Sequence, residues 1–424
     1  MNGTRFCFYL ELDKIQPETL NENLDSGNPG LGGTQYLFLL TVHNLNKKYG
    51  SDYAVLLTNT DVSSTSNHLI HFINVSDASH AVEYCETNHI DNLVFNVNLA
   101  GRVNRSLFDT SVNIILWAHN TVNGKCHRIA ATTKSIKWIV CVSESQYENM
   151  ADTPCFNKCT FINNIIPKEF YDKAHLTDYS ENKVAYVGSI MPQKGLHNLI
   201  EIWKIVESKS PQTQLYIFGS SNIWNNAVSI DNNIFSDQYY GKVLRKRLNR
   251  LAHPENIHFM GAKGWRFLRD YISTFRLGVV NPSYYMRDET FCLSAIEMET
   301  MGLPVISRKR HDGLNTSILN EKTGFLGKTN EEIADKILQV VSDVTLAKEL
   351  GGNARKHSSS FIAEDVVSRW YELDKGTIDH GVSVRVKWIP NDSKMLIHDF
   401  FLKILFLLES HKISYLVFRP FRRK

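Results

Sequence analysis

Short runs of β-branched and aromatic residues alternate with longer helical patterns along most of this chain. The alternation is typical of parallel α/β folds, in which a helix crosses over between successive strands. The segment Thr34–Tyr49, for example, repeats apolar residues at helical spacing. A first series of predicted strands comprises Arg5–Leu12, Tyr53–Thr58, Leu93–Asn98, Asn113–Ala118, Trp138–Ser143 and Cys159–Asn163.

A second series of strands follows the polar segment Lys173–Asn182, which we interpret as a linker. Its members are Val184–Gly188, Leu215–Gly219, Ile257–Gly261, Leu277–Asn281 and Pro304–Ser307. A chain of 424 residues is long for one hydrophobic core, so two α/β domains are expected. We predict an N-terminal domain over 1–178, a second domain over 179–375 and a tail over 376–424. The last helix of the second domain, about Ala363–Leu373, can return to the first domain.

The tail differs from the body in charge. Residues 394–424 carry seven Lys or Arg against Asp399 and Glu409, whereas the whole chain has a net charge of only +3. The body therefore gives no indication of a nucleic-acid partner. The apolar stretch 395–418 is too interrupted to span a bilayer, and we predict a C-terminal amphipathic helix in peripheral contact with an anionic membrane surface through 394–424. The alternative is that this helix packs on the body or on a second copy.

Cysteine usage favours a reducing compartment. The seven cysteines are an odd number without disulfide-framework spacing, and Cys155-x3-Cys159 lacks the second ligand pair of a zinc site. The first residues carry charges within a short apolar run and read as a strand rather than a signal peptide. We predict a cytoplasmic protein, docked on the inner face of the cytoplasmic membrane if the tail binds lipid.

The strongest local motif lies between Asn281 and Ser307. A predicted strand is followed by a polar loop with Glu289, and then by a helical run with Glu297. Open α/β sheets bind ligands at the carboxyl ends of their strands, and the N–H groups of a helix start suit a diphosphate. Spacing alone leaves two readings open: two carboxylates that bind separate sets of hydroxyls, or ordinary acids near a helix N-terminus.

This segment resembles the E-x7-E motif of retaining glycosyltransferase family 4. Other elements of that family follow in the same order over about residues 28–372. They are the early Gly30-Leu-Gly-Gly33 loop, Cys141-Val-Ser-Glu-Ser145, Asn163-Asn-Ile-Ile-Pro167, the second-domain loop Val187-Gly-Ser-Ile-Met-Pro-Gln-Lys-Gly195, and the later Gly219, Gly261 and Thr323-Gly-Phe325.

The resemblance implies a GT-B fold, with two Rossmann-like domains that face a cleft, and a nucleotide-sugar donor. It implies that Glu289 binds the donor sugar, that Glu297 binds the ribose, and that Lys194 neutralises the departing diphosphate. His119 would lie near the reacting sugar, and His119, Glu289 and Lys194 would be the catalytic residues. The implied donor-binding set is Gly32, Gly33, Gly188, Ser189, Lys194, Gly219, Lys263, Arg287, Glu289, Thr290, Phe291, Cys292, Leu293 and Glu297.

Three departures from the family pattern bear on the donor. Ser189 stands where the family has an arginine, so we predict that Arg287 or Lys263 replaces that phosphate contact. Cys292 replaces a glycine and narrows the space beside the phosphate. The second glutamate, Glu297, is followed by methionine and by an additional Glu299.

The resemblance also implies front-face displacement with retention, and a saccharide or lipid-linked acceptor that contacts the loops Asn59–Asn67 and Gly101–Arg105. No Asp-x-Asp occurs in the chain, so we expect neither a divalent metal nor a further cofactor. A dinucleotide-dependent oxidoreductase is disfavoured because position 35 of the G-x-G-x-x-G pattern is glutamine. A GT-B epimerase, a phosphorylase or a non-catalytic nucleotide-sugar-binding partner remain alternatives.

Overall fold

The computed structural model describes residues 3–12, 17–62, 67–151, 153–220, 238–284, 289–310 and 312–378. Thirteen strands lie within these ranges, and all of their pairings are parallel. They are β1 (Phe6–Leu10), β2 (Ala54–Thr58), β3 (His71–Asn74), β4 (Asn92–Asn96), β5 (Asn113–Ala118), β6 (Ile136–Cys141), β7 (Cys159–Phe161), β8 (Lys183–Val187), β9 (Gln214–Phe218), β10 (Ile257–Gly261), β11 (Leu277–Val279), β12 (Val305–Arg308) and β13 (Gly324–Gly327).

Fifteen α-helices within the same ranges cover and connect the strands. They are α1 (Gly33–Tyr49), α2 (Ala78–Thr87), α3 (Val97–Arg102), α4 (Gly124–Thr132), α5 (Glu144–Glu148), α6 (Lys168–Asp172), α7 (Leu196–Lys209), α8 (Gln238–Leu248), α9 (Trp265–Tyr271), α10 (Leu293–Thr300), α11 (Leu314–Ser317), α12 (Asn330–Ser342), α13 (Val344–Ser358), α14 (Ala363–Val366) and α15 (Ser368–Lys375). Short 3₁₀ turns precede or follow several of them, including Pro192–Lys194 before α7.

The strands form two separate sheets. The first has seven strands in the order β3-β2-β1-β4-β5-β6-β7, and the second has six in the order β10-β9-β8-β11-β12-β13. In each sheet the direction of strand addition reverses once, between β1 and β4 in the first and between β8 and β11 in the second. The loops at such a switch point diverge and leave a crevice at the carboxyl ends of the strands. The two-sheet arrangement agrees with the predicted pair of Rossmann-like domains.

The predicted strands match the observed ones within a few residues, but β3 and β13 were missed. The sequence of β3, HFIN, has only partly buried or exposed side chains because it is the edge strand of its sheet. The sequence of β13, GFLG, is bounded by glycines, which disfavour strands by intrinsic propensity. Gly324 is required there because a Cβ would lie 1.9 Å from the carbonyl oxygen of Val305 on β12.

The last described helices return to the first sheet. The predicted single helix Ala363–Leu373 is divided at Val367 into α14 and α15. On α15, the buried indole of Trp370 packs against Phe8 and Trp117 with ring centroids 5.3 and 5.0 Å apart. The buried carboxylate of Asp374 accepts hydrogen bonds from Arg5 at 2.9–3.1 Å. The C-terminal helix is thus part of the core of the N-terminal sheet.

Two predictions fall outside the described residues. Arg287 lies in the undescribed segment 285–288, and the predicted amphipathic helix with its basic cluster lies in 379–424. Among the helices that are described, none combines the length and apolar character needed to cross a bilayer.

Candidate donor site

The glycines that follow β8, β9 and β10 bring the ends of these strands together. The N–H of Gly188 donates to Phe218 O at 3.0 Å, and the N–H of Gly219 donates to Gly261 O at 2.9 Å. A Cβ on Gly219 would lie 1.9 Å from Gly188 O, so only glycine fits at this position. Gly188 and Gly219, both predicted from the sequence to bind the donor, therefore shape the floor of the crevice with their backbones.

Lys194 and Glu289 meet at the switch point of the second sheet. Lys194 lies in the loop after β8, and Glu289 in the loop after β11. The ammonium Nζ of Lys194 is 2.7 Å from Glu289 Oε2. The two loops approach closely at Gly195, which has a φ of +78° and whose added Cβ would lie 2.3 Å from the Ser283 nitrogen. Two residues 95 positions apart are thus held as an ion pair where an α/β sheet binds ligands.

Three further groups hold Glu289. The amide of Asn281, at a φ of +43°, donates to Glu289 Oε2 at 2.6 Å. The carboxylate of Asp312 accepts the N–H of Glu289 at 3.0 Å, and the N–H of Gly313 donates to Glu289 O at 2.6 Å. The Glu289 side chain and backbone are therefore both positioned before any ligand binds, which is the condition for precise recognition.

The electrostatics of the site favour a charged lysine. Burial is the largest single influence and lowers the pKa of Lys194, but Glu289, Cys292 and Asp312 together outweigh it, so the net pKa is raised. Burial also raises the pKa of Asp312 to about 6, against the opposing effect of its N–H bonds and of the Arg310 charge. Lys194 is 29% exposed and Glu289 11% exposed, so a ligand can reach the pair from the crevice.

Helix α10 starts at Leu293, and the N–H groups of Ala295 and Ile296 in its first turn donate to the N-cap carbonyl, Cys292 O, at 3.1 and 3.4 Å. The N–H groups of Leu293 and Ser294, at the very start of the helix, are of the kind that suits an anion. The N–H of Cys292 donates to Ser317 Oγ at 2.9 Å. The Phe291 ring is buried and packs edge-on against Phe361 at 5.3 Å, so its side chain belongs to the core.

Thr290 joins the donor loop to the first domain. Its hydroxyl donates to His119 O at 2.9 Å, and its carbonyl accepts from Ser143 Oγ at 2.7 Å. A third contact joins Ser145 and Thr316, whose hydroxyl oxygens are 3.1 Å apart. Thr290 therefore lies at the interface of the two domains, and its hydroxyl is used there.

His119 follows β5 and lies almost fully buried against Trp117 and Phe38, with ring centroids 4.2 and 5.7 Å away. Burial lowers the pKa of His119 to about 3, so the ring is neutral near pH 7. Within the described part of the chain, its Nε2 is buried and has no hydrogen-bond partner. Such an orphaned polar atom is costly unless a ligand or water satisfies it.

Glu297 has a different partner from those of Lys194 and Glu289. Its side chain is on α10 and only 4% exposed, and the Trp265 side chain is its hydrogen-bond partner. Burial raises the pKa of Glu297 well above its usual range, and this hydrogen bond opposes the rise. The additional Glu299 is fully buried and bonds His357 Nδ1 at 2.6 Å, so it joins α10 to α13 rather than facing the crevice.

The glycine loop of the first domain ends in the start of α1. Gly32 is the N-cap and Gly33 the first helical residue. The loop touches the second domain at Trp265, whose N–H donates to Asn28 O at 3.0 Å. A Cβ on Gly264 would lie 3.1 Å from Pro29, so the two backbones are in close contact. The loop is thus near the residue that holds Glu297.

Two described basic residues, Lys263 and Arg310, can be compared as replacements for the arginine that the family has at position 189. Lys263 is exposed, and its ammonium lies 5.3 Å from the centre of the Phe267 ring. Arg310, which follows β12, is closer to the site, since its guanidinium donates to Ser283 O at 2.5 Å and its charge acts on Asp312. Ser189 contributes its backbone, whose carbonyl accepts from Met191 N at 3.0 Å.

Sequence reasoning missed Asn281, Asp312, Trp265 and Arg310 as site residues. The sequence carried a local signal for Asn281 and Asp312. Asn281 ends a predicted strand and is a residue type that tolerates positive φ. Asp312 precedes a glycine just after β12, at the same sheet edge as Glu289. For Trp265 and Arg310 no local pattern distinguishes them from other aromatic and basic residues.

Comparison with known proteins agrees with this geometry. Residues 167–357 match the family model described as Glycosyl transferases group 1. The capsular polysaccharide biosynthesis glycosyltransferase CapM of Staphylococcus aureus is 26% identical over 194 residues, 45% of this chain and 44% of CapM. An uncharacterized glycosyltransferase of Methanocaldococcus jannaschii is 28% identical over 251 residues, 58% of this chain and 62% of that protein. The alignments thus span less than two thirds of either relative.

The structure of Anabaena HepE in complex with UDP-glucose is similar over 88% of this chain and 99% of that chain, with a TM-score of 0.66 and 15% identity. At that identity the likeness shows the fold. The two parallel sheets therefore form a two-domain GT-B fold, as predicted. The segment 167–357, which carries Lys194 and Glu289, is similar to the glycosyl transferases group 1.

Proposed function

We propose that this protein is a retaining glycosyltransferase that moves a sugar from a nucleotide-sugar donor to a hydroxyl of a saccharide or lipid-linked acceptor. The observation that carries the proposal is the Lys194–Glu289 pair at the switch point of the second sheet, beside the start of α10. A cation and helix-start N–H groups suit a diphosphate, and a positioned carboxylate suits sugar hydroxyls. CapM, a relative over part of the chain, acts in capsular polysaccharide biosynthesis, which favours a saccharide acceptor.

In the proposed reaction the bond between the anomeric carbon and the diphosphate oxygen breaks, and the acceptor oxygen bonds to the same face of the sugar. The acceptor proton passes to the departing diphosphate. Lys194 and the first-turn N–H groups of α10 stabilise the charge that develops on the diphosphate, and Glu289 holds the sugar. We propose that no divalent metal takes part, because these groups already supply the charge that the leaving group needs.

We assign His119 a binding role rather than that of a general base. A ring with a pKa of about 3 holds a proton too weakly to take one from a hydroxyl at neutral pH. Its buried Nε2 has no partner among the described residues and can form a hydrogen bond with the donor sugar. Glu297 is proposed to bind the ribose after release from the Trp265 side chain.

Transfer assays test this proposal. The full-length protein is incubated with labelled UDP-glucose and other nucleotide sugars and a set of oligosaccharides, with and without EDTA, and the anomeric configuration of the product is determined by NMR. We expect a retained product that does not require metal. Glu289→Gln should lower turnover by at least about tenfold, because it removes a hydrogen-bonded charge from the site. Glu349→Gln, at an exposed position of α13, is the matched control.

Several outcomes would contradict the proposal. An epimerised nucleotide sugar, or a sugar phosphate formed with inorganic phosphate, would indicate the epimerase or phosphorylase alternative. Binding of UDP without transfer or hydrolysis of any donor would indicate a non-catalytic partner. Loss of activity in EDTA that is restored by Mg²⁺ or Mn²⁺ would show that the leaving group needs a metal.

A further inference from the structure

A basic concavity lies on the first domain. It has a volume of about 650 Å³ and is formed by α4, the segment after α3 and one turn before β7. Its lining contains no residue of the donor loops 188–195 or 289–297. Nine residues line it: Val103, Asn104, Arg105, Lys125, Arg128, Ile129, Ala131, Thr132 and Pro154.

All of the charged side chains that line this concavity are positive. Three of its lining residues, Arg105, Lys125 and Arg128, are cationic and none carries a carboxylate. Behind it, the Lys158 ammonium donates to Ala130 O and Thr133 O at 2.8 and 2.7 Å. Like charges in a recess raise the local concentration of anions, because solvent screens them less than on a flat surface.

Two of the cations have a structural explanation and the third does not. Arg105 donates to Thr132 O at 3.1 Å and Lys125 donates to Gly101 O at 2.8 Å, so both stabilise the C-terminal ends of helices. These bonds also fix where their charges lie. Arg128 is exposed, and no carboxylate among the described residues pairs with it. Its guanidinium keeps a planar set of donors that fits phosphate.

We propose that this concavity binds a phosphate group carried by the saccharide acceptor. The claim that the ligand is an acceptor rests on the proposed function, whereas the anion site itself does not. The volume suits a phosphate and one or two sugar rings. The Asn104 amide nitrogen, which has no partner among the described residues, and the Thr132 hydroxyl oxygen can bond sugar hydroxyls, and Val103, Ile129 and Pro154 offer apolar contact to the ring faces.

A flat membrane surface fits this site less well than a soluble phosphorylated saccharide. Segments that dock on lipid project their apolar side chains outward into the interface. Here Ile129 is only 8% exposed and lies within the wall of the recess. A phosphate that enters the recess can be reached by Arg128 from one side while the sugar contacts the wall.

Isothermal titration calorimetry of the full-length protein with maltose 1-phosphate and with maltose tests the proposal. UDP is present at saturation so that the donor site is occupied. We expect binding of maltose 1-phosphate that weakens with salt, and no comparable binding of maltose. Arg128→Glu and the milder Arg128→Gln should weaken this binding about tenfold or more, since a charge-assisted contact is lost. Lys204→Glu, at an exposed position of α7, is the matched control.

Three results would overturn the proposal: equal binding by wild type and both Arg128 variants, displacement of maltose 1-phosphate by UDP, or binding only to anionic phospholipid vesicles. The vesicle result would assign the surface to a membrane. UDP affinity and thermal unfolding of each variant show whether it is folded. If no donor is transferred but Arg128-dependent phosphate binding persists, the proposed function fails and the anion site stands.

Discussion

At the scale of single residues, two glutamates of the E-x7-E segment, Glu289 and Glu299, have different uses in this protein. Glu289 is partly exposed and paired with Lys194, so it is available to a ligand. Glu299 is fully buried and bonds His357, so it serves the contact between α10 and α13. The two glutamates are ten positions apart in sequence. Their roles differ because Glu299 is more deeply buried and because each carboxylate has a different hydrogen-bond partner. The additional glutamate of the E-x7-E segment is thus explained by packing.

The titration of Glu299 predicts a pH dependence of stability. Burial raises the pKa of Glu299 from 4.5 to about 7, despite the opposing hydrogen bond from His357. The native state therefore holds this proton in a range where the unfolded state has lost it. The contribution of Glu299 to the free energy of unfolding should fall as pH rises from about 4.5 to about 7, by at most about 3 kcal/mol.

Chemical denaturation between pH 4.5 and 8 checks this expectation. Glu299→Gln removes the titrating group, so its stability relative to wild type should rise with pH across the window. The plot of unfolding free energy against pH for Glu349→Gln should run parallel to that of wild type. A Glu299→Gln curve that also runs parallel to wild type would contradict the assignment.

At the scale of elements, the last described helix, α15, packs against the first strand of the chain. Trp370 lies against β1 and β5 through Phe6, Phe8 and Trp117, and Asp374 binds Arg5. Large aromatic side chains contribute strongly to a core because of their buried area and edge-on contacts. The N-terminal sheet is therefore completed by a helix more than 200 residues after its last strand.

Trp370→Ala should lower the free energy of unfolding by about 3–5 kcal/mol, because it leaves a large cavity against β1. Tyr371→Ala is the matched control: its ring is 39% exposed and stacks on Tyr49, and its loss should cost below about 1 kcal/mol. Urea unfolding followed by circular dichroism measures both. Similar losses in the two variants would mean that α15 does not support the core.

At the scale of the whole molecule, hydrogen bonds close the cleft at the donor loop. Ser143 and His119 of the first domain bond Thr290, and Ser145 meets Thr316. The loop that holds Glu289 is therefore positioned by both domains. Closure of this kind excludes water and completes a site from two halves.

Removal of the Thr290 hydroxyl should shift the protein toward an open form. Thr290→Val loses the bond to His119 O, worth about 1 kcal/mol, which changes a closed-to-open ratio by roughly fivefold. Small-angle scattering of the ligand-free variant should show a larger radius of gyration than wild type, and a nucleotide sugar that binds under the proposed function should reduce the difference. Thr345→Val, at an exposed position of α13, is the control. Identical profiles for all three proteins would contradict this role.

The sequence by itself determined the elements with strong local patterns. Period and composition located eleven of the thirteen described strands, because buried parallel strands form continuous apolar runs. The motif around Glu289 and the loop with Lys194 identified the two residues that the structure places 2.7 Å apart. Local patterns sufficed for the strands, whereas Lys194 and Glu289 were identified through the resemblance to glycosyltransferase family 4.

Only the tertiary structure decided the surroundings of those residues. Edge strand β3 has too few buried side chains for a local signal and exists through its pairing with β2. The burial of His119, the Asn281 and Asp312 bonds to Glu289 and the return of Trp370 depend on contacts between segments distant in sequence. A side chain's pKa and partner follow from the groups folded around it, and the residue type alone does not specify them.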